Sequence, residues 1–301
     1  MRKEVIAERI LKLKEKRNAI ILAHNYQTGD IQDIADFVGD SLDLSVKASQ
    51  VEEDVIVFCG VHFMAETAVI LSPEKTILIP DAEAGCPMAD MITAEELRAW
   101  KKVNPGIEVV CYVNTSAAVK AGCDICCTSA NAKKVVASLK GDKVLFAPDK
   151  NLGAYIARGS RKKIIPWDGY CYVHNNILPK HVREKKKRYP KAEVWVHPEC
   201  RPEVIDLADR VFSTGGMVKE ARITVLDEVI IGTEEGIIYR LEKENPGIRF
   251  YPVKDNAICS NMKKITLEKV LISMENMAPK VEVSADISRR AKGAIEKMVS
   301  L

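Results

Sequence analysis

The sequence predicts an α/β protein built of three pseudo-threefold-related α/β/α lobes, each with a small parallel sheet, around a central cavity. Three observations carry this. Apolar runs alternate with amphipathic stretches along the whole chain, which is the pattern of a parallel sheet flanked by helices. A short strand followed by a cysteine occurs three times: residues 76–80 before Cys86, 163–166 before Cys171 and 249–253 before Cys259. The intervals are 171 − 86 = 85 and 259 − 171 = 88, and so constant a period signals internal repetition. Within each period, further features recur in one order. A strand ends in a polar pair: His24-Asn25-Tyr26, Tyr112-Val113-Asn114 or His197-Pro198-Glu199. Twelve residues after the first member comes Asp36, Asp124 or Asp209, and five further on a hydroxyl, Ser41, Ser129 or Thr214.

The elements follow in order. Residues 2–17 set Val5, Ile6, Ile10, Leu11 and Leu13 among charges, an amphipathic helix. Residues 19–23 form an apolar run ended by His24, as expected of a buried parallel strand. A short helix around Asp33, a helix to about Gln50, a strand at 55–59, a helix at 63–71 and a strand at 76–80 complete the first lobe. The second has a helix at 95–103, strands at 109–112 and 124–129, a helix at 131–139, a strand at 144–147 and a helix around Tyr155. The third opens on a basic helix at 182–188. Its strands are 194–196, 209–214 and 229–231, with a helix at 237–243 before the last strand. Residues 266–277 and 285–298 read as closing helices. The expected lobes are 1–87, 88–172 and 173–262, with the C-terminal helices of 263–301 packed on the first.

The chain has 301 residues, 47% hydrophobic and 29% charged, ordinary for a globular protein. Lobes of this size are small and need shared interfaces. The net charge of +3 is too balanced to imply nucleic acid. No apolar run reaches membrane-spanning length, and the start, Met1-Arg2-Lys3-Glu4, has no signal-peptide core. A cytoplasmic protein without membrane association is therefore expected, and its nine cysteines read as thiols or metal ligands rather than a disulfide framework. The run Glu184-Lys185-Lys186-Lys187-Arg188 reads as a solvated helix face.

In parallel α/β sheets, ligands bind beyond the carboxyl ends of the strands. The polar pairs, the hydroxyls and the repeat cysteines all fall there. If the lobes turn those ends inward, Cys86, Cys171 and Cys259 share a cavity with His24, Tyr26, Ser41, Tyr112, Asn114, Ser129, His197, Glu199 and Thr214. His174 follows Cys171 by three residues and lies nearby. The hydroxyls precede helices, so they and the helix amides suit carboxylates or phosphate. Three cysteines one lobe apart are unlike a zinc ribbon with its local pairs. They suit an iron–sulfur cluster taking one thiolate from each lobe, although three buried structural cysteines would give the same spacing. Three thiolates would leave a 4Fe–4S cluster one open iron able to act as a Lewis acid. The local group Cys123, Cys126 and Cys127 falls at repeat positions held elsewhere by Ala35, Ala208, Val38, Val211, Gly39 and Phe212. Small buried thiols are expected there. Cys59, Cys111 and Cys200 have no cysteine equivalents and read as incidental, and His62 and His181 as peripheral.

These residues resemble the quinolinate synthase family over nearly the whole chain. The motifs are Ala23-His24-Asn25-Tyr26-Gln27, Gly39-Asp40-Ser41, Phe63-Met64-Ala65-Glu66-Thr67, Gly85-Cys86-Pro87-Met88-Ala89, Tyr112-Val113-Asn114, Thr128-Ser129-Ala130-Asn131, His197-Pro198-Glu199-Cys200, Ser213-Thr214-Gly215-Gly216-Met217 and Cys259 with Asn261-Met262-Lys263. The resemblance implies an enzyme of three lobes with a 4Fe–4S cluster. Such an enzyme condenses iminoaspartate (iminosuccinate) with dihydroxyacetone phosphate to quinolinate, the pyridine precursor of NAD. By matching position, Cys86, Cys171 and Cys259 would hold the cluster. His24, Ser41, Tyr112, Asn114, Ser129, His197, Glu199 and Thr214 would contact substrate. Tyr26, His174, His197 and Glu199 are the candidates for proton transfer. Functional coupling to an L-aspartate oxidase or dehydrogenase that supplies iminoaspartate is a further expectation. Some members carry extra cysteines just before the last ligand, whereas Cys259 stands alone. A radical enzyme of diphthamide synthesis is a rival three-lobed reading, but the dense small-anion motifs argue against it. A non-enzymatic iron–sulfur sensor would need no polar ring at the strand ends.

Overall fold

The computed structural model describes residues 2–301 and contains three four-stranded parallel sheets in succession. The first lobe runs α1 (Lys3–Lys16), β1 (Ala19–His24), α2 (Gly29–Ile34), β2 (Phe37–Gly39), α3 (Ser41–Ala48), β3 (Val55–Cys59), α4 (His62–Leu71) and β4 (Thr76–Leu78). The second runs α5 (Ala94–Val103), β5 (Glu108–Tyr112), α6 (Ala117–Lys120), β6 (Ile125–Cys127), α7 (Ala132–Ser138), β7 (Lys143–Ala147), α8 (Lys150–Ala157) and β8 (Lys163–Pro166). The third has α9 (Tyr172–Asn175), α10 (Pro179–Arg188), β9 (Glu193–Val196), α11 (Pro202–Ile205), β10 (Arg210–Val211), α12 (Thr214–Ala221), β11 (Glu228–Gly232), α13 (Gly236–Glu244) and β12 (Arg249–Pro252). Two closing helices follow, α14 (Leu267–Asn276) and α15 (Ala285–Val299).

The sheet orders are β2-β1-β3-β4, β6-β5-β7-β8 and β10-β9-β11-β12, one topology used three times. In each, the strand that ends at the polar pair is interior. Helices cover both faces, so β1 is buried at all six residues and reads as an unbroken apolar run. The repeated aspartate proves to be part of this framework. Asp36, Asp124 and Asp209 each accept a hydrogen bond from the inner strand, from Ile21 N at 2.8 Å, Val109 N at 2.7 Å and Val194 N at 2.8 Å. Their own N–H groups donate back to the carbonyls of the same three residues. This reciprocal pair pins the edge strand to its neighbour.

The first two lobes share one apolar core with the closing helices, while the third packs separate clusters on the two faces of its sheet. Helix α14 lies against α1, and α15 lies across α4, β6 and α6. No helix is long and apolar enough to cross a membrane, among the described residues.

One expectation is overturned. Cys111 and Cys123 form a disulfide, with Cα atoms 6.1 Å apart, so Cys111 is not incidental and Cys123 is not a free thiol. Parallel pairing of β5 with β6 sets Cys111 opposite Cys126 and brings the loop entering β6 alongside β5. Cys126 and Cys127 are free and buried, as expected.

Candidate active site

The inner strands β1, β5 and β9 end at or one residue before His24, Tyr112 and His197, and the cysteine loops follow the edge strands β4, β8 and β12. All of these ends face one cavity between the lobes. Its walls include every candidate site residue named from the sequence. Cys86, Cys171 and Cys259 stand together with His24, Tyr26, Tyr112 and Asn114. Ser41, Ser129, His174, His197, Glu199 and Thr214 complete the ring.

The hydroxyls do not stand quite where expected. Ser41 and Thr214 are the first residues of α3 and α12, and the capping side chains are their predecessors Asp40 and Ser213. Asp40 accepts from Leu42 N and Asp43 N, each at 3.0 Å, and its other oxygen takes Ser213 Oγ at 3.2 Å and Gly215 N at 3.3 Å. It thereby ties the first lobe to the third at the cavity wall. Asn25 Nδ2 donates to Thr214 Oγ1 at 3.0 Å, which orients that hydroxyl. The buried Asn114 Oδ1 has no hydrogen-bond partner, and an acceptor left open in a cavity wall suits a ligand donor.

Two histidines are preset by their own backbone. Tyr26 N donates to His24 Nδ1 at 3.1 Å and Glu199 N donates to His197 Nδ1 at 3.3 Å. An imidazole whose Nδ1 accepts must carry its proton on Nε2 when neutral. His197 Nε2 accordingly donates to Ser129 Oγ at 3.2 Å. Burial holds both histidines neutral, with pKa values lowered to about 3; for His24 the Lys263 ammonium adds to this, while Glu199 opposes it in both.

A polar chain crosses the cavity. Tyr112 Oη donates to Glu199 Oε1. His174 Nδ1 lies 2.8 Å from Glu199 Oε2, and its Nε2 lies 2.8 Å from Thr233 Oγ1, which is 2.6 Å from Tyr26 Oη. The rings of His174 and His197 stack with centroids 4.6 Å apart. Burial alone would raise the Glu199 pKa, but His174 and the hydrogen bond from the Tyr112 hydroxyl outweigh it and hold the carboxylate ionised. Burial, reinforced by Glu199, pushes both tyrosines well above their usual value. One anion thus stands beside two protonated phenols, an imidazole and a hydroxyl, with His174 Nδ1 close to Glu199 but not aligned as a hydrogen bond.

The three thiols are unlike surface cysteines. Burial pushes Cys86 up to about 12 and raises Cys171 and Cys259, against backbone N–H donors from Ala89, His174 and Met262. A thiol so placed becomes a thiolate only beside a strong positive charge. The donor set thus fits a metal group: three sulfurs from three lobes, each already met by backbone N–H. Cys171, His174 and Glu199 offer ligand atoms within 4.8 Å of one another. His174 Nε2 is taken by Thr233 and Glu199 Oε1 by Tyr112, so the cysteine trio is the better fit.

Sequence reasoning named Lys263 only within a motif and missed Thr233, Asp149 and Glu234. The last two stand 234 − 149 = 85 residues apart, one repeat, but Val61 holds that place in the first lobe, so only two copies carry the signal.

Residues 8–300 match the family model described as Quinolinate synthetase A protein. A quinolinate synthase of Dehalococcoides mccartyi is 59% identical over 299 residues, 99% of each chain. One of Methanoregula boonei is 56% identical over 297 residues, 99% of this chain and 98% of its own. One of Methanosarcina barkeri is 52% identical over 301 residues, 100% of this chain and 99% of its own.

Proposed function

The chain belongs to the quinolinate synthetase A family of NAD biosynthesis, and we propose that it condenses iminoaspartate with dihydroxyacetone phosphate to quinolinate in a soluble compartment. The atoms balance without a redox partner: one phosphate and two waters leave as the pyridine ring closes. The observation that carries the reading is the convergence of one cysteine from each lobe with acid, base and hydroxyl groups on one cavity wall. Cys86, Cys171 and Cys259 would hold a 4Fe–4S cluster, which when bound supplies a Lewis acid at the iron without a protein thiolate.

The remaining work falls to side chains. Ser41, Ser129 and Thr214 present hydroxyls from all three lobes and, with the amide N–H of Asn114, are assigned to carboxylate and phosphate. His24 and the Nε2–H of His197 are neutral donors, able to polarise a carbonyl without drawing a counter-charge into the cavity. Glu199 is the base of the site. A proton it accepts can pass to His174, and Tyr26 and Tyr112 are acids whose raised pKa values keep their protons until a leaving oxygen needs one. Closing a ring with loss of water requires such paired delivery and removal of protons, and the Tyr112–Glu199–His174–Thr233–Tyr26 chain spans the cavity to do it. The iminoaspartate would come from an L-aspartate oxidase or dehydrogenase.

Anaerobic protein with a reconstituted cluster, given iminoaspartate and dihydroxyacetone phosphate, should form quinolinate and release phosphate in equal amounts. Phosphate release without quinolinate, or neither product from a cluster-loaded protein, would overturn the assignment.

A further inference from the structure

Each cysteine loop is fastened to the turn that leaves the neighbouring strand, β3, β7 or β11, and the fastening is built twice in full and once in part. The strand register makes Cys59, Ala147 and Gly232 equivalent, opposite Ala23, Cys111 and Val196. Three residues beyond each, His62, Lys150 and Glu235 donate backbone N–H bonds to Ala84, Gly169 and Ala257, at 2.8, 2.8 and 3.0 Å. Those acceptors stand two residues before Cys86, Cys171 and Cys259. Two residues beyond the same strand positions stand Val61, Asp149 and Glu234. Both acids are 0% exposed. Cys171 N donates to Asp149 Oδ2 at 3.1 Å and Leu152 N, at the start of α8, to Oδ1 at 2.7 Å. Cys259 N donates to Glu234 Oε1 at 3.0 Å and Gly236 N, at the start of α13, to Oε2 at 2.8 Å. Lys263 Nζ braces Glu234 at 2.9 Å.

A carboxylate is costly to bury unless its oxygens are taken by donors. Here each acid divides its oxygens in the same way, one on a helix start and one on a cysteine amide. The structure assigns Asp149 and Glu234 as paired positioning residues that fix the backbone of Cys171 and Cys259, and so aim their sulfurs at a metal group. The first lobe keeps only the backbone bond, since Val61 offers no acceptor. This rests on the proposal that these cysteines hold an iron–sulfur cluster.

Asp149→Asn and Glu234→Gln preserve size but leave one accepting oxygen for two donors. Partners behind metal ligands commonly change affinity by roughly 10–100-fold. Each variant, reconstituted anaerobically, should therefore lose iron to a chelator about tenfold faster than the parent, while the apo forms melt like the parent apo protein. Asp168→Asn is the control: it lies three residues before Cys171 on the same loop, with its side chain 90% exposed, and should release iron at the parent rate. Parent-like release from both variants, or equal acceleration by the control, overturns the positioning role. If one apo variant fails to fold, the other decides; if both fail, the acids are core elements and the role is overturned. A parent chain that takes up no iron and sulfide defeats the cluster reading instead.

Discussion

His197 shows how one residue's surroundings set both its chemistry and a pH dependence. Its Nδ1 accepts from the backbone of Glu199, its Nε2–H reaches Ser129, and burial keeps it neutral down to about pH 3. In the unfolded chain a histidine titrates near 6.5. Between those values the unfolded state binds a proton that the folded state refuses, so stability falls as pH is lowered through that window. His24 adds a second such group. At about 1.4 kcal/mol for each pKa unit, the loss amounts to several kcal/mol by the acid end. Urea unfolding of apo protein from pH 6.5 to 4 should show His197→Asn losing less stability per pH unit than the parent, by up to one proton's worth of slope. Identical slopes would mean that His197 is protonated in the folded state.

The elements depend on contacts between lobes as well as on their own caps. Asp40 caps α3 and also receives Ser213 Oγ and Gly215 N at the start of α12. A methyl group at Gly215 would lie 2.6 Å from Asp40 Oδ2, so the carboxylate must leave one helix start or the other. Gly215→Ala should cost about 1–3 kcal/mol, the range for a buried charged hydrogen bond, read from the urea midpoint of the apo protein; an unchanged midpoint would show that the link between α3 and α12 is slack. Much of this level was legible in the chain. Strand ends, hydroxyls and repeat cysteines announce themselves because each occupies one offset in three copies. Asp149 and Glu234 were hidden because Val61 breaks their threefold pattern and because an acid differs in length from lobe to lobe. The Cys111–Cys123 bond was hidden because it depends on which strands are neighbours, which spacing along the chain does not state. The repeated aspartates were visible as a pattern, but their job of pinning edge strands appears only once the sheet order is known.

For the whole molecule, the threefold arrangement places three strand ends, three hydroxyls and three cysteines on one wall, with no single lobe holding a complete site. The central claim is that the repeat cysteines act as one ligand set while Cys126 and Cys127 serve as apolar filling. Iron content after anaerobic reconstitution separates these roles directly. A thiolate ligand has no substitute in a methyl group, whereas a buried free thiol can be trimmed at a cost on the order of 1 kcal/mol. Cys171→Ala should therefore retain no stable 4Fe–4S cluster, and the double variant Cys126→Ala with Cys127→Ala should carry the parent's iron per chain. Full iron in Cys171→Ala together with iron loss in the double variant would contradict the account.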